Sequence, residues 1–384
     1  MRQQKINQEV SVGIAHSLRK AFRDRAPLLG DYLGLYKYPA RLSPAFVRHA
    51  IGMFSGRNDW VLDPFVGGGT TAVEALSLGR RVIAIDANPL ACRLTRARTT
   101  PLDRADRAQL RRWVCSLSVD RRRRAPVDER ATGMPDEISA FLVPARETID
   151  SIRSARARQA ATAVLMRLGQ RAVEAPEPFD EMSRDQWRTR AEECSDSLVR
   201  SLETLVARSE ENGVLRYRIS ERIEIHRGKA ETVLAGNHDW RSSLVVTSPP
   251  YPGVHVLYHR WQLEGRQELA LPFWLANERD GSGPSCYTMG GRHPRGLEVY
   301  FATLLTVMQA MRPRLRADAV VVQVVSFSDA KTQRRRFGDV LSEAGYRSHA
   351  AFTPASWRRI PGRRWYARDR MNAVSREFLL VHLA

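Results

Sequence analysis

The stretch WVLDPFVGGGTTAVEALSLGRRVIAIDANPLA, residues 60–91, decides how the rest of the chain is read. Val61 and Leu62 open a short apolar run that stops at Asp63-Pro64. Gly67, Gly68 and Gly69 then supply a turn whose backbone can take conformations that other residues avoid. Ala72, Val73, Ala75 and Leu76 recur at helical spacing, and Gly79 stands where a helix would end. Val82 to Ile85 is a second apolar run, closed by Asp86. Strand, turn, helix, strand is a βαβ unit, which demands parallel strands and a right-handed crossover.

Beyond that unit the character of the chain changes. Over residues 101–214 strand signals fade, and alanine, arginine, glutamate and leucine take over at helical spacing. The run RRRRAPVDER at 121–130 reads as an exposed loop or helix end. Strand signals return in LRYRISERIEIHRG (215–228), SSLVVTSPPY (242–251), ADAVVVQVVSF (317–327) and SREFLLVHLA (375–384). Helical patterns stand between the later ones, at 298–315 and 332–346. The expectation is an α/β protein with a Rossmann-like, doubly wound sheet built from residues 1–100 and 215–384. A mostly helical insertion over 101–214 interrupts it.

The 384 residues carry 61 Lys and Arg against 42 Asp and Glu, a formal net charge of +19. Only Lys5, Lys20, Lys37, Lys229 and Lys331 are lysines, so arginine supplies nearly all the surplus. Guanidinium forks fit phosphate oxygens, and an excess of this size points to a polyanion. Arginine-rich codon usage would explain the choice of arginine over lysine but not the surplus over acids. Cys92, Cys115, Cys194 and Cys286 are far apart, with no C-x-x-C pair, which argues against a zinc site or a disulfide framework. Neither a signal peptide nor an 18-residue apolar run is present, so a cytoplasmic protein without a membrane span is expected.

The segment DPFVGGGTT (63–71) stands between strand and helix, where open α/β sheets bind ligands. It is neither a phosphate-binding G-x-x-x-x-G-K-[ST] loop nor a clean G-x-G-x-x-G turn. Asp63 beside the turn would repel a pyrophosphate but suit a cation, and Asp86 is placed to accept hydrogen bonds from two ribose hydroxyls. S-adenosylmethionine, with a sulfonium and a zwitterionic aminoacyl end, fits that combination.

DPFVGGGTT followed by TSPPY (247–251) resembles the DNA amino-methyltransferases, which methylate exocyclic amines. KYPARLSPAFVRHAI (37–51) is similar to an additional cofactor motif of that family. The resemblance spans roughly residues 35–95 and 220–384. It implies an S-adenosylmethionine-dependent enzyme acting on DNA. Tyr38, Asp63, Pro64, Phe65, Gly67, Gly69, Thr70, Asp86 and Asn88 would then hold cofactor. Lys229 stands where the family often carries an acidic residue. The serine form of the catalytic motif looks most like the cytosine-N4 members. Adenine N6 in DNA and a base amine in RNA are the alternatives, and a restriction or defence-system partner is a further expectation.

An exocyclic amine is a poor nucleophile because its lone pair is delocalised into the ring. Acceptors aimed at its hydrogens favour the charge that develops on nitrogen. Ser248 Oγ and the Pro249 carbonyl are the expected acceptors; Pro249 and Pro250 stiffen the segment, and Tyr251 would stack on an extruded base. No Pro-Cys dipeptide occurs, which argues against thiol-dependent methylation of a ring carbon. The loop at about 254–297 mixes aromatics with arginines, and Arg260, Trp261 and Arg292 are candidate nucleic-acid contacts. No metal is expected.

Overall fold

Alternate residues of each central strand face opposite ways, and both faces are buried. The structure, a computed structural model, describes residues 13, 15–24, 36, 42–174, 183–252, 261–263, 267–281, 287–291, 293–360 and 375–384. Strands β1 (Trp60–Asp63), β2 (Arg81–Asp86), β3 (Ile223–Arg227) and β4 (Ser242–Thr247) pair in parallel in the order β3-β2-β1-β4. After a two-stranded hairpin, β5 (Trp261–Leu263) and β6 (Gln267–Leu269), the long β7 (Leu315–Ser326) joins the sheet parallel to β4. The sheet ends with β8 (Arg347–Ser348), β9 (Ser356–Ile360) and β10 (Ser375–Leu383); β10 lies antiparallel between β7 and β8, and β9 also pairs with it.

Period-two burial fixes which helix covers which face. Val61, Val82, Ala84, Leu244, Val246, Val320 and Val322 share one core with α1 (Pro44–Phe54) and α2 (Thr70–Ser77). Leu62, Ile83, Ile85, Val245, Val321 and Val325 share the other with Leu234, Tyr300, Leu304, Met308 and Phe337. Those residues come from α8 (Ala230–Ala235), α10 (Pro294–Met311) and α11 (Ala330–Glu343). Central strands buried on both sides read in sequence as near-continuous apolar runs, and VVVQVV is one, broken only by the buried Gln323. The architecture is a Rossmann-like doubly wound sheet with an antiparallel closing strand.

The helices after β2 form a separate core. They are α3 (Pro89–Thr99), α4 (Arg104–Ser116), α5 (Asp136–Ile149), α6 (Ala155–Glu174) and α7 (Arg184–Glu211). Phe141 and Trp187 stack inside it, centroids 4.0 Å apart and planes 7° from parallel. The hairpin and α9 (Leu271–Leu275) pack here as well, through Trp261, Leu269, Phe273 and Leu275. So the segment after TSPPY docks on the helical layer.

One strand is shorter than its sequence predicts. Residues 216–222 form two 3-10 turns, and β3 begins at Ile223. The stretch RYRISER is charged all round, and of it only Ile219 is buried apolar surface, so no strand-like alternation exists to bury. Among the described residues no helix is long and apolar enough to cross a membrane.

Candidate active site

The glycine turn is tied down on both sides. Gly67 N donates to Asp86 Oδ2 at 2.9 Å, and Val66 N donates to Ile85 O at 2.9 Å, which fixes the turn to the end of β2. Thr71 Oγ1 donates to Val246 O at 3.2 Å, which ties the start of α2 to β4. Gly69 begins α2 at φ +78°, and a Cβ there would lie 2.8 Å from Thr95 Oγ1. No other residue fits that position. Arg98, buried on α3, donates to the Gly68 carbonyl. Sequence reasoning missed Arg98, whose only signal was a cation in a helix that packs on both faces.

Asp63 ends β1 and is only 3% exposed. Its Oδ1 accepts from Thr247 Oγ1 at 2.7 Å and from Phe65 N at 3.1 Å. The Thr247 bond joins the two motifs, which lie 184 residues apart in sequence and meet at the same edge of the sheet. Asp86 accepts from Gly67 N and, at 2.8 Å, from Asn88 N. Burial pushes both carboxyls up to about 6, against several hydrogen bonds that act to lower them; the Asp86 charge raises Asp63 further. Neither carboxylate has an ion-pair partner among the described residues. A buried Asp63 beside a partly exposed Asp86, with no cation among the described residues, is an arrangement that a positively charged ligand would stabilise.

The other candidate cofactor residues divide. Phe65 and Gly67 are partly exposed at the turn, whereas Pro64 and Thr70 are buried. Asn88 is 1% exposed, and its Oδ1 accepts from Leu90 N at 3.0 Å. Its visible role is to cap α3. Tyr38 lies outside the described residues.

Ser248 follows β4 and is partly exposed; its Oγ donates to Val324 O on β7 at 2.9 Å. A hydroxyl has one proton, so this bond leaves the serine oxygen as an acceptor on its remaining side. Tyr300 OH donates to the Pro250 carbonyl at 2.8 Å and holds the proline segment from α10. Tyr251 is 6% exposed, in one apolar cluster with Met289 and Tyr300. Its hydroxyl donates to Glu377 Oε1 on β10 at 2.9 Å and lies 3.4 Å from Ser248 Oγ. Arg358 on β9 pairs with Glu377 Oε2 through Nε at 2.9 Å and Nη2 at 2.7 Å. Sequence reasoning missed this pair. An isolated acid in the closing strand was the only signal, and nothing in the motif points 126 residues ahead.

The proposed nucleic-acid contacts fare differently. Trp261 is 3% exposed, with its Nε1 donating to Tyr36 OH at 2.9 Å. A Cβ on Gly169 of α6 would lie 2.8 Å from the indole ring. That close approach makes Trp261 a core residue, and its ring is not presented to a nucleic acid. An aromatic beside an arginine reads alike in sequence whether it is a stacking platform or a core anchor. Arg260 and Arg292 lie outside the described residues.

Residues 14–97 match the family model for N6- and N4-type enzymes described as DNA methylase. Over 62 residues the chain is 40% identical to the Type II methyltransferase M2.DpnII of Streptococcus pneumoniae. That stretch is 16% of this chain and spans 23% of the relative. TrmN from Thermus thermophilus aligns with 91% of the chain and 51% of its own, at 12% identity and a TM-score of 0.34. The rRNA methyltransferase aviRa from Streptomyces viridochromogenes aligns over 94% and 93%, at 13% identity and the same TM-score. At that level the structural likeness is loose and says nothing about substrate.

Proposed function

We propose, from the match of residues 14–97 to the DNA methylase family model, that the protein methylates an exocyclic base amine in DNA, cytosine N4 in particular. One observation carries the proposal. The Thr247–Asp63 hydrogen bond brings the family's cofactor turn and the Ser-Pro-Pro-Tyr segment to adjoining strand ends.

The turn suits S-adenosylmethionine, which when bound supplies a methyl group from a sulfonium. Asp63, buried, and Asp86, partly exposed, have no cation beside them among the described residues, and they would hold its positive end and its ribose. Phe65 and Gly67 are partly exposed at the same turn. The family and the fit of these carboxylates support this cofactor, not a nucleotide with a pyrophosphate.

Ser248 is committed as a donor to Val324, so its free lone pair can accept one amine hydrogen, and the Pro249 carbonyl can accept the other. Tyr300 holds the segment at Pro250, and Glu377 holds it at Tyr251. Acceptors fixed before the substrate arrives need no reorganisation as charge develops on nitrogen. Tyr251 stacks on the extruded base only if its ring is uncovered from its present packing.

The test is methylation of duplex DNA by the wild type and by Ser248→Ala. We expect the variant to be slower by roughly 10²–10³, by analogy with the loss of one oxyanion-hole donor. Its affinity for S-adenosylmethionine should be unchanged. Equal rates would refute the clamp.

A further inference from the structure

A cleft of about 490 Å³ opens between α3, the end of β3 and the helical layer. Five arginines line it: Arg93 and Arg96 from α3, Arg227 from β3, Arg146 from α5 and Arg158 from α6. The acids on the described lining are Asp150 and Glu278, so the lining carries a formal excess of three positive charges. The volume is within the usual range for ligand sites, about 300–1,000 Å³.

The partners of these arginines show how little of that charge is cancelled. Glu278 is shared by Arg93 Nε at 2.6 Å and Arg227 Nη1 at 3.1 Å, so one carboxylate serves two guanidiniums. Arg146 donates to the Trp274 carbonyl at 2.8 Å and to Asn277 Oδ1 at 3.1 Å, and both partners are neutral. Arg158 Nη1 donates to the Ile152 carbonyl at 2.9 Å. Arg96 is exposed, and its guanidinium makes no hydrogen bond or ion pair among the described residues. Gln159, also on the lining, has a buried amide nitrogen without a partner among the described residues. Neutral acceptors hold the guanidiniums in place without discharging them, which is what an anion site needs.

The position of the cleft says which anion. Arg227 pairs in register with Asp86, and Cys92, which lines the cleft, lies 3.6 Å from the Asp86 carbonyl. The cleft therefore begins where the cofactor turn ends, at the carboxyl edge of the sheet. Asp63 and Asp86 make that turn negative, so a cationic ligand belongs on one side and a polyanion on the other.

We propose that this arginine-lined cleft takes the sugar-phosphate backbone of duplex DNA beside the target base, making the helical layer a DNA-positioning element. The proposal rests on the methyltransferase reading for its choice of DNA, but its test does not depend on turnover. Fluorescence anisotropy with a labelled duplex, read against salt, compares the full-length wild type with Arg96→Ala/Arg158→Ala and with Arg96→Glu. Each lost phosphate contact should lower the slope of log K against log salt by about 1, so the double variant should lose about 2. Its dissociation constant at low salt should rise about tenfold or more. Arg96→Glu should weaken binding too, and it breaks no described interaction, so misfolding would not account for its loss. Arg122→Ala, in the exposed loop after α4, is the control and should leave the slope unchanged.

An unchanged slope in the double variant would overturn the proposal, as would an equal loss in Arg122→Ala, which would make the charge a diffuse surface. Tighter, equally arginine-dependent binding of a duplex RNA of the same sequence would overturn the choice of DNA. Slowed methylation by Ser248→Ala bears on the base clamp and leaves the cleft untouched.

Discussion

Tyr251 and Glu377, 126 residues apart, are joined by a 2.9 Å hydrogen bond at the edge of the sheet. Glu377 is an acceptor only and is already held by Arg358, so Tyr251 must be the donor. The tyrosine oxygen then faces Ser248 with lone pairs, while the serine proton goes to Val324. The Ser-Pro-Pro-Tyr segment is thus held from behind by β7 and β10.

Tyr251→Phe removes this bond and keeps the ring. It should slow methylation by about 10- to 100-fold, the rate equivalent of the 1.5–3 kcal/mol typical of a hydrogen bond to a charged group. Cofactor affinity should not change. Initial-rate kinetics with the cofactor held saturating measure this, and an unaltered rate would free Tyr251 from any positioning role.

The fold was largely legible in the sequence because burial on two faces writes itself as apolar runs. The βαβ unit at 60–86 and the strands at 242–247 and 375–383 sit where hydrophobicity placed them. The 215–228 stretch was misread because isoleucines in RYRISERIEI suggest a strand that only its last part forms. Within the candidate site, Asp63, Asp86 and Ser248 were legible because each stands at the carboxyl end of a strand. Arg98, Glu377 and Arg358 were not, since their roles depend on contacts between segments distant in sequence. Trp261 shows the opposite limit: its residue type and neighbours suggested a surface, and only packing against Gly169 reveals a core.

That burial makes a prediction of its own. Trp261→Ala should cost about 3–5 kcal/mol of folding stability, as for other large core truncations. Urea unfolding of the full chain measures it. A small loss of stability combined with a large loss of DNA affinity would reverse the assignment.

Asp63 and Asp86 carry a pH signature. Both are raised from 3.8 to about 6, so between those values the folded state binds more protons than the unfolded one. Their contribution to stability is therefore full below 3.8 and is lost as pH rises through about 6. Binding of a cation runs the other way, because it needs the ionised form. Affinity for S-adenosylmethionine should strengthen as pH rises through about 6, and calorimetric titration across that range should show it. Asp86→Asn should flatten the dependence and weaken binding by about 1.5–3 kcal/mol. A pH-independent affinity would remove these acids from the cofactor site.

Methylation of an exocyclic base amine in DNA is the central claim, and nucleoside analysis reaches it most directly. Duplex DNA incubated with the protein and S-adenosylmethionine labelled in its methyl group is digested to nucleosides and analysed by mass spectrometry. The account predicts label in N4-methylcytosine with the wild type and a 10²- to 10³-fold slower appearance, roughly, with Ser248→Ala. Label in N6-methyladenine alone would correct the base and keep the clamp. Label in 5-methylcytosine, or in RNA but never in DNA, would contradict the account.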